Sequence, residues 1–164
     1  MSASKSTDWK HESETANRLT WAITAINAHL KELRQIWARA LGISGPQWMI
    51  LMAISDLDKE DGVPVKAVAK MLHVESSFVT TQSKRLEKTG LVRRKPCPLD
   101  RRVVRLSLSD RALKQLGRDS NRQQAAADMV LAGFEGDELN EFITRLTTVR
   151  RRLEKAWLRV ELGL

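Results

Sequence analysis

A change of period in the middle of the chain constrains the fold more than any other feature. Before Gly90 the apolar residues recur at helical steps. After it, Leu91-Val92-Arg93-Arg94 and Val103-Val104-Arg105-Leu106-Ser107-Leu108 alternate or run β-branched. Pro96, Pro98 and Asp100 supply turn residues between these runs, so a two-stranded hairpin with a basic tip is expected. Two short helices precede it, over 65–72 and 76–89, joined by a tight turn at His73-Val74. Pro64 suits the first turn of one, and Gly90 suits the stop of the other. Val79, Ser83 and Leu86 are the inward positions of the second. Two helices of this length on so short a turn make a helix-turn-helix, and the hairpin is its wing.

Longer helices flank this middle. Over 13–41, Leu19, Ile23, Ile26, Leu30, Leu33, Trp37 and Leu41 recur every three or four residues, a second face carries Trp21 and Ile36, and Gly42 ends the run. Ser44-Gly45-Pro46-Gln47 reads as a capping box opening a buried helix through Trp48, Ile50, Leu51, Met52 and Ile54. A polar turn over 56–62 follows. Ser109 is placed to cap a helix over 110–132, ended by Gly133. The last helix, over 137–160, carries Leu139, Phe142, Leu146, Val149, Leu153, Trp157 and Val160 in heptad-like spacing.

The expected fold is therefore mainly α, a winged helix-turn-helix in the order α-α-α-α-β-β-α-α with long N- and C-terminal dimerisation helices. Its parts are a flexible N-terminus over 1–10, an N-terminal dimerisation helix over 11–42, the winged helix-turn-helix over 43–109, and C-terminal helices for linkage and dimerisation over 110–164. The end helices carry more apolar surface than so small a middle can cover. Leu19, Ile23, Leu146, Val149, Leu153, Trp157 and Val160 are expected to bury one another across a two-fold axis in a homodimer.

Charge sharpens this reading. Of a total formal charge of +8, a net +7 falls within 76–105, where Lys84, Arg85, Lys88, Arg93, Arg94, Lys95, Arg101, Arg102 and Arg105 face only Glu87 and Asp100. A basic block beside a near-neutral remainder points to a polyanion, most simply nucleic acid. A membrane-surface helix would interleave its charges with an apolar stripe, whereas the end of this block alternates as strands do. No run of about 18 apolar residues is present. The first ten residues lack the apolar core of a signal peptide, so a cytoplasmic, nucleoid-associated protein is expected. One cysteine, Cys97, leaves no internal disulfide; it is expected on the exposed wing near Arg94 and Lys95, and inert.

His11, His29 and His73 are scattered, the acidic turn lacks calcium-loop spacing, and no phosphate loop, nucleophile elbow or paired catalytic carboxylates occur. No enzyme, cofactor or metal site is expected.

The middle segment resembles the MarR family of bacterial transcription regulators. The resemblance rests on Val68-Ala69-Lys70-Met71-Leu72, on Arg85-Leu86-Glu87-Lys88-Thr89-Gly90-Leu91-Val92, and on Asp100-Arg101-Arg102 followed by Val103-Val104-Arg105-Leu106-Ser107-Leu108-Ser109. The flanking helices also fit, so it extends over nearly the whole chain. Phe78 stands where relatives carry a small or polar residue, and Ala112 replaces a frequent glycine.

The resemblance implies a ligand-responsive, sequence-specific dimeric regulator of double-stranded DNA. The weighted expectation is a repressor on an inverted-repeat operator, released by a small anionic aromatic acid or its coenzyme A thioester, in the manner of regulators of aromatic-acid catabolism. The helix over 76–89 would enter the major groove, offering Ser76, Ser77, Thr80, Thr81 and Lys84 on its outward face. Phe78 either meets a thymine methyl or closes the small core. Arg94, Arg101 and Arg102 are the wing candidates, with Asp100 pinning one arginine and leaving another for a minor groove. Effector candidates are Trp21, His29, Arg34, Trp37, Arg39, Trp48 and Met52, of which Trp37 and Trp48 are equally at home in a core. An effector-independent architectural DNA-binding protein is the alternative.

Overall fold

The computed structural model describes the backbone of residues 5–58 and 60–163, and the side chains of 14–58 and 60–163. Its elements are α1 (Lys5–Ala40), α2 (Gly45–Leu57), β1 (Val63–Pro64), α3 (Val65–Leu72), α4 (Ser76–Lys88), β2 (Val92–Pro96), β3 (Val104–Leu108), α5 (Asp110–Leu131) and α6 (Glu138–Glu161). The winged helix-turn-helix is present. α1 begins at Lys5, well before the expected start; the flexible tail expected over 1–10 lies, for 1–4 and for all ten side chains, outside the described residues.

The expected punctuation marks form by the expected chemistry. Ser44 accepts the Gln47 N–H at 3.4 Å while the Gln47 side chain accepts the Ser44 N–H at 3.0 Å, a complete capping box at the start of α2. Ser109 Oγ accepts the Ala112 N–H at 3.1 Å and donates to the Gly90 carbonyl at 2.7 Å. Ala112 is buried in the first turn of α5, where a helical alanine suffices. His73 takes the left-handed conformation at φ 53° between α3 and α4, a region that histidine tolerates better than most residues.

The chain divides into two compact units, Met1–Leu116 and Gly117–Leu164. The core of the first joins Ile50, Leu51 and Ile54 of α2, Val68 of α3, Val79 and Leu86 of α4, Leu91, Val92 of β2, and Leu106 and Leu108 of β3. All three inward positions expected on α4, Val79, Ser83 and Leu86, are fully buried. In the second unit no residue of α6 is buried, and the Phe134 and Phe142 rings meet at 5.5 Å near the turn between its helices.

One strand was not expected. Val63-Pro64 adds β1 to the outside of the hairpin, giving a three-stranded antiparallel sheet in the order β1-β3-β2, with Val63 opposite Leu106 and Val92 opposite Leu108. A proline is tolerable on such an edge because it needs no ladder donor there. The turn before β1 closes when Asp58 Oδ1 accepts the Gly62 N–H at 2.8 Å. Gly62 itself sits at φ +75°, and a Cβ there would lie 3.2 Å from the Leu106 carbonyl oxygen. Gly62→Ala is therefore expected to lower stability by about 1–3 kcal/mol, measured by urea unfolding.

Candidate nucleic-acid interface

Within 76–105, most of the exposed positive charge lies on one helical face and one hairpin tip. On α4, Ser76, Ser77, Thr81 and Lys84 are exposed and Thr80 is half-buried. Their outward placement follows from the burial of Val79, Ser83 and Leu86, since a helix that commits one stripe to a core presents the opposite stripe to solvent. Thr81 Oγ1 donates to the Ser77 carbonyl at 3.0 Å, which leaves its lone pairs facing outward. Lys84, Arg85 and Lys88 continue the exposed surface along the helix.

The wing divides its arginines between structure and surface. The sequence groups Arg94 with the DNA contacts, whereas in the structure its guanidinium turns inward onto α4. Its side chain is only 11% exposed. The guanidinium donates to Ser83 Oγ and to the Thr80 carbonyl at 3.4 Å, and lies 3.6 Å from Glu87. It ties β2 to α4. The period of the strand explains this: Val92 is buried, Arg93 points out, and Arg94, opposite Leu106, points back in. Arg93 pairs outward with Asp110, and Arg105 donates to the Gly62 carbonyl at 3.1 Å.

At the tip, Asp100 pins Arg102. Its carboxylate accepts from Arg102 Nε at 3.1 Å, from the second guanidinium nitrogen at 3.3 Å, and from the Arg102 backbone N–H at 3.0 Å. The Arg102 side chain is nonetheless 92% exposed, so a pre-oriented guanidinium projects from the tip. These bonds from Arg102 hold the Asp100 carboxyl below its ordinary value. Arg101 and Lys95 are exposed beside it.

Cys97 is likewise not where the sequence placed it. It is buried beneath the turn, and the Arg105 guanidinium lies 3.9 Å from its sulfur. Backbone N–H bonds from Asp100 and Leu99, then Arg105, lower its thiol pKa against the opposing effect of burial.

The effector candidates do not assemble into one site. Trp21 and Trp37 are sixteen residues apart on α1, about 24 Å along its axis, which exceeds the reach of a small ligand. Trp21 is exposed and His29 faces Glu32 at 3.4 Å on the helix surface. Arg39 is exposed, whereas Arg34, Trp37, Trp48 and Met52 are half-buried. Met52 lines a groove with Met49, Ser55, Asp56, Met71 and Leu72, to which the other six candidates contribute nothing. Trp48 keeps a buried indole N–H without a partner among the described residues. Among those residues no group of three potential metal ligands occurs, and no helix is long and apolar enough to cross a membrane.

Residues 43–104, from just before α2 to the first residue of β3, match the MarR family model. The match covers that segment and not the whole chain. Members of this family are DNA-binding transcription regulators, not enzymes. Similar proteins include the uncharacterized HTH-type transcriptional regulator YybA of Bacillus subtilis, 21% identical over 147 residues, which are 90% of this chain and 96% of that one. A MarR protein of Peptoclostridium difficile superposes with a TM-score of 0.71 at 18% identity, covering 87% of this chain and 91% of that one. MepR of S. aureus, solved as a DNA complex, superposes at 0.70 and 16% identity, covering 82% and 95%. At these identities the solved structures establish the fold alone.

Two outcomes follow from the wing geometry. Arg94→Ala should cost about 1–3 kcal/mol in urea unfolding, because a charge-assisted bond inside the fold is lost, whereas Arg101→Ala should change stability by less than about 0.5 kcal/mol. The lowered carboxyl of Asp100 means that its pinning of Arg102 is complete above the ordinary aspartate range and is lost only as pH falls through the depressed value. A carboxyl NMR titration of Asp100 checks this, and a midpoint at or above the ordinary value would contradict it.

Proposed function

We propose that this protein is a regulator of the MarR family, a homodimeric repressor that binds a near-palindromic operator in the cytoplasm, at the nucleoid. The supporting observation is the pairing, within one compact unit, of an outward hydroxyl-and-lysine face on α4 with a wing tip that projects Arg101 and Arg102. Ser76, Ser77, Thr80, Thr81 and Lys84 read the major groove, and the wing arginines enter the neighbouring minor groove, where a narrow A·T tract concentrates negative potential.

The dimer follows from apolar surface. Leu19 and Ile23 on α1, and Leu146, Leu153, Trp157 and Val160 on α6, are all exposed in the single chain. Val149 is half-buried. A 24-residue helix without one buried residue needs cover, and a second copy of the chain supplies it with the two-fold symmetry that a palindrome matches. The effector is an anionic aromatic acid or its coenzyme A thioester. It binds around Trp48, whose unpartnered indole N–H meets an acceptor on the ligand. Binding there shifts the population of recognition-helix spacings away from the operator.

The test is footprinting on duplex flanking the protein's own gene, with and without aromatic acids and their thioesters. Protection of an inverted repeat, abolished by one such ligand, is expected. With about 8 phosphate contacts per dimer, log K should fall against log salt with a slope near −7. Arg102→Ala should weaken operator binding and leave the dimer intact by light scattering. Binding that shows no preference for a palindrome over random duplex would favour an architectural role instead.

A further inference from the structure

Phe78 is the large apolar residue on the reading helix that the core does not use. It follows Ser77 on the first turn of α4 and remains 37% exposed, while its neighbour Val79 is fully buried. The core cluster and the apolar residues packed around it do not include Phe78. One residue step on a helix turns a side chain by about 100°, so the burial of Val79 carries Phe78 out of the core. Thr81 and Arg85, at i+3 and i+7, continue its face and are exposed.

Phe78 also has company. Across the turn between α3 and α4 it lines an open groove with Ala69, Lys70, His73, Val74 and Glu75, and Val74 is itself 38% exposed. Scattered exposed apolar residues are ordinary. An apolar groove at the leading end of a DNA-reading helix, with Lys70 on its rim and Arg85 along the same face, is matched to a particular surface. That surface is apolar, small, and flanked by phosphates. In the major groove only thymine presents an apolar group, its C5 methyl. Glu75 at the rim would be repelled by phosphate but can accept from a cytosine amino group, so it disfavours the backbone without disfavouring base edges.

We propose that Phe78 is a specificity-determining residue that reads a thymine C5 methyl in each half-site of the operator. This rests on the proposed DNA-binding function and adds to it the base that one side chain selects. It is a contact of shape and desolvation, with no hydrogen bond to the base, so removal of the methyl group alone should be felt.

Deoxyuridine makes that removal, since uracil keeps every pairing and groove edge of thymine except the methyl. An operator is first selected from random duplex with the wild-type protein. Each thymine is then replaced in turn by deoxyuridine, and affinities are measured at fixed salt. One symmetry-related pair of positions should weaken wild-type binding about fourfold per half-site, the equivalent of roughly 0.8 kcal/mol for one buried methyl group. Phe78→Ala should bind thymine and uracil operators equally, and Phe78→Leu should discriminate to an intermediate degree; both should keep wild-type circular dichroism because the side chain lies outside the core. Equal wild-type affinity for all uracil substitutions would overturn the inference, as would discrimination that persists in Phe78→Ala. A selection that enriches no palindrome would overturn the regulator reading itself, and a palindrome bound without methyl discrimination would overturn only the role of Phe78.

Discussion

Arg94 reaches from β2 to the inner side of α4, where its guanidinium meets the Ser83 hydroxyl and the Thr80 carbonyl. A short hairpin has little stability of its own. Here it is held by β1 along one side, by the apolar contacts of Leu106 and Leu108 beneath, and by this one charged bond to the reading helix. The bond spans the two parts that must address one duplex together. A groove-entering helix and a wing are useful only at a defined separation, and a guanidinium with several fixed donors sets a separation better than an apolar contact does.

The same logic divides the basic block. Arg93, Arg94, Arg102 and Arg105 each have a partner within the protein, whereas Lys84, Arg85, Lys88, Lys95 and Arg101 are exposed with no partner found among the described residues. These four arginines organise the wing, and the remaining cations supply diffuse charge. Arg102 belongs to both groups: Asp100 holds it, yet nearly all its side chain stays in solvent. Pinning removes rotamer freedom before any partner arrives, which lowers the entropy cost of a later contact at the expense of some net charge.

Several site residues resisted sequence reading for identifiable reasons. Composition groups Arg94 with its neighbours as surface charge, yet the period of two that places Val92 inward also places Arg94 inward. That signal was present and outweighed by composition. A hairpin tip places Cys97 in solvent by sequence alone, but the turn closes over it, with the Cys97 N–H donating to the Val103 carbonyl at 2.7 Å. β1 is two residues long, too short for any periodicity to register. The effector candidates were gathered by residue type along α1 and α2, and a helix axis separates like residues by 1.5 Å per position however similar their chemistry.

Local rules determined the elements of this protein. Ser44 with Gln47, Ser109, Gly90, and the inward row of Val79, Ser83 and Leu86 each act within a few residues, so one-dimensional order suffices to read them. Tertiary structure alone decided which arginine is buried, and that a two-residue edge strand completes the sheet. Those outcomes depend on groups brought together from distant positions, such as Arg105 with Gly62 and Arg94 with Ser83, and no local period encodes the distance between them.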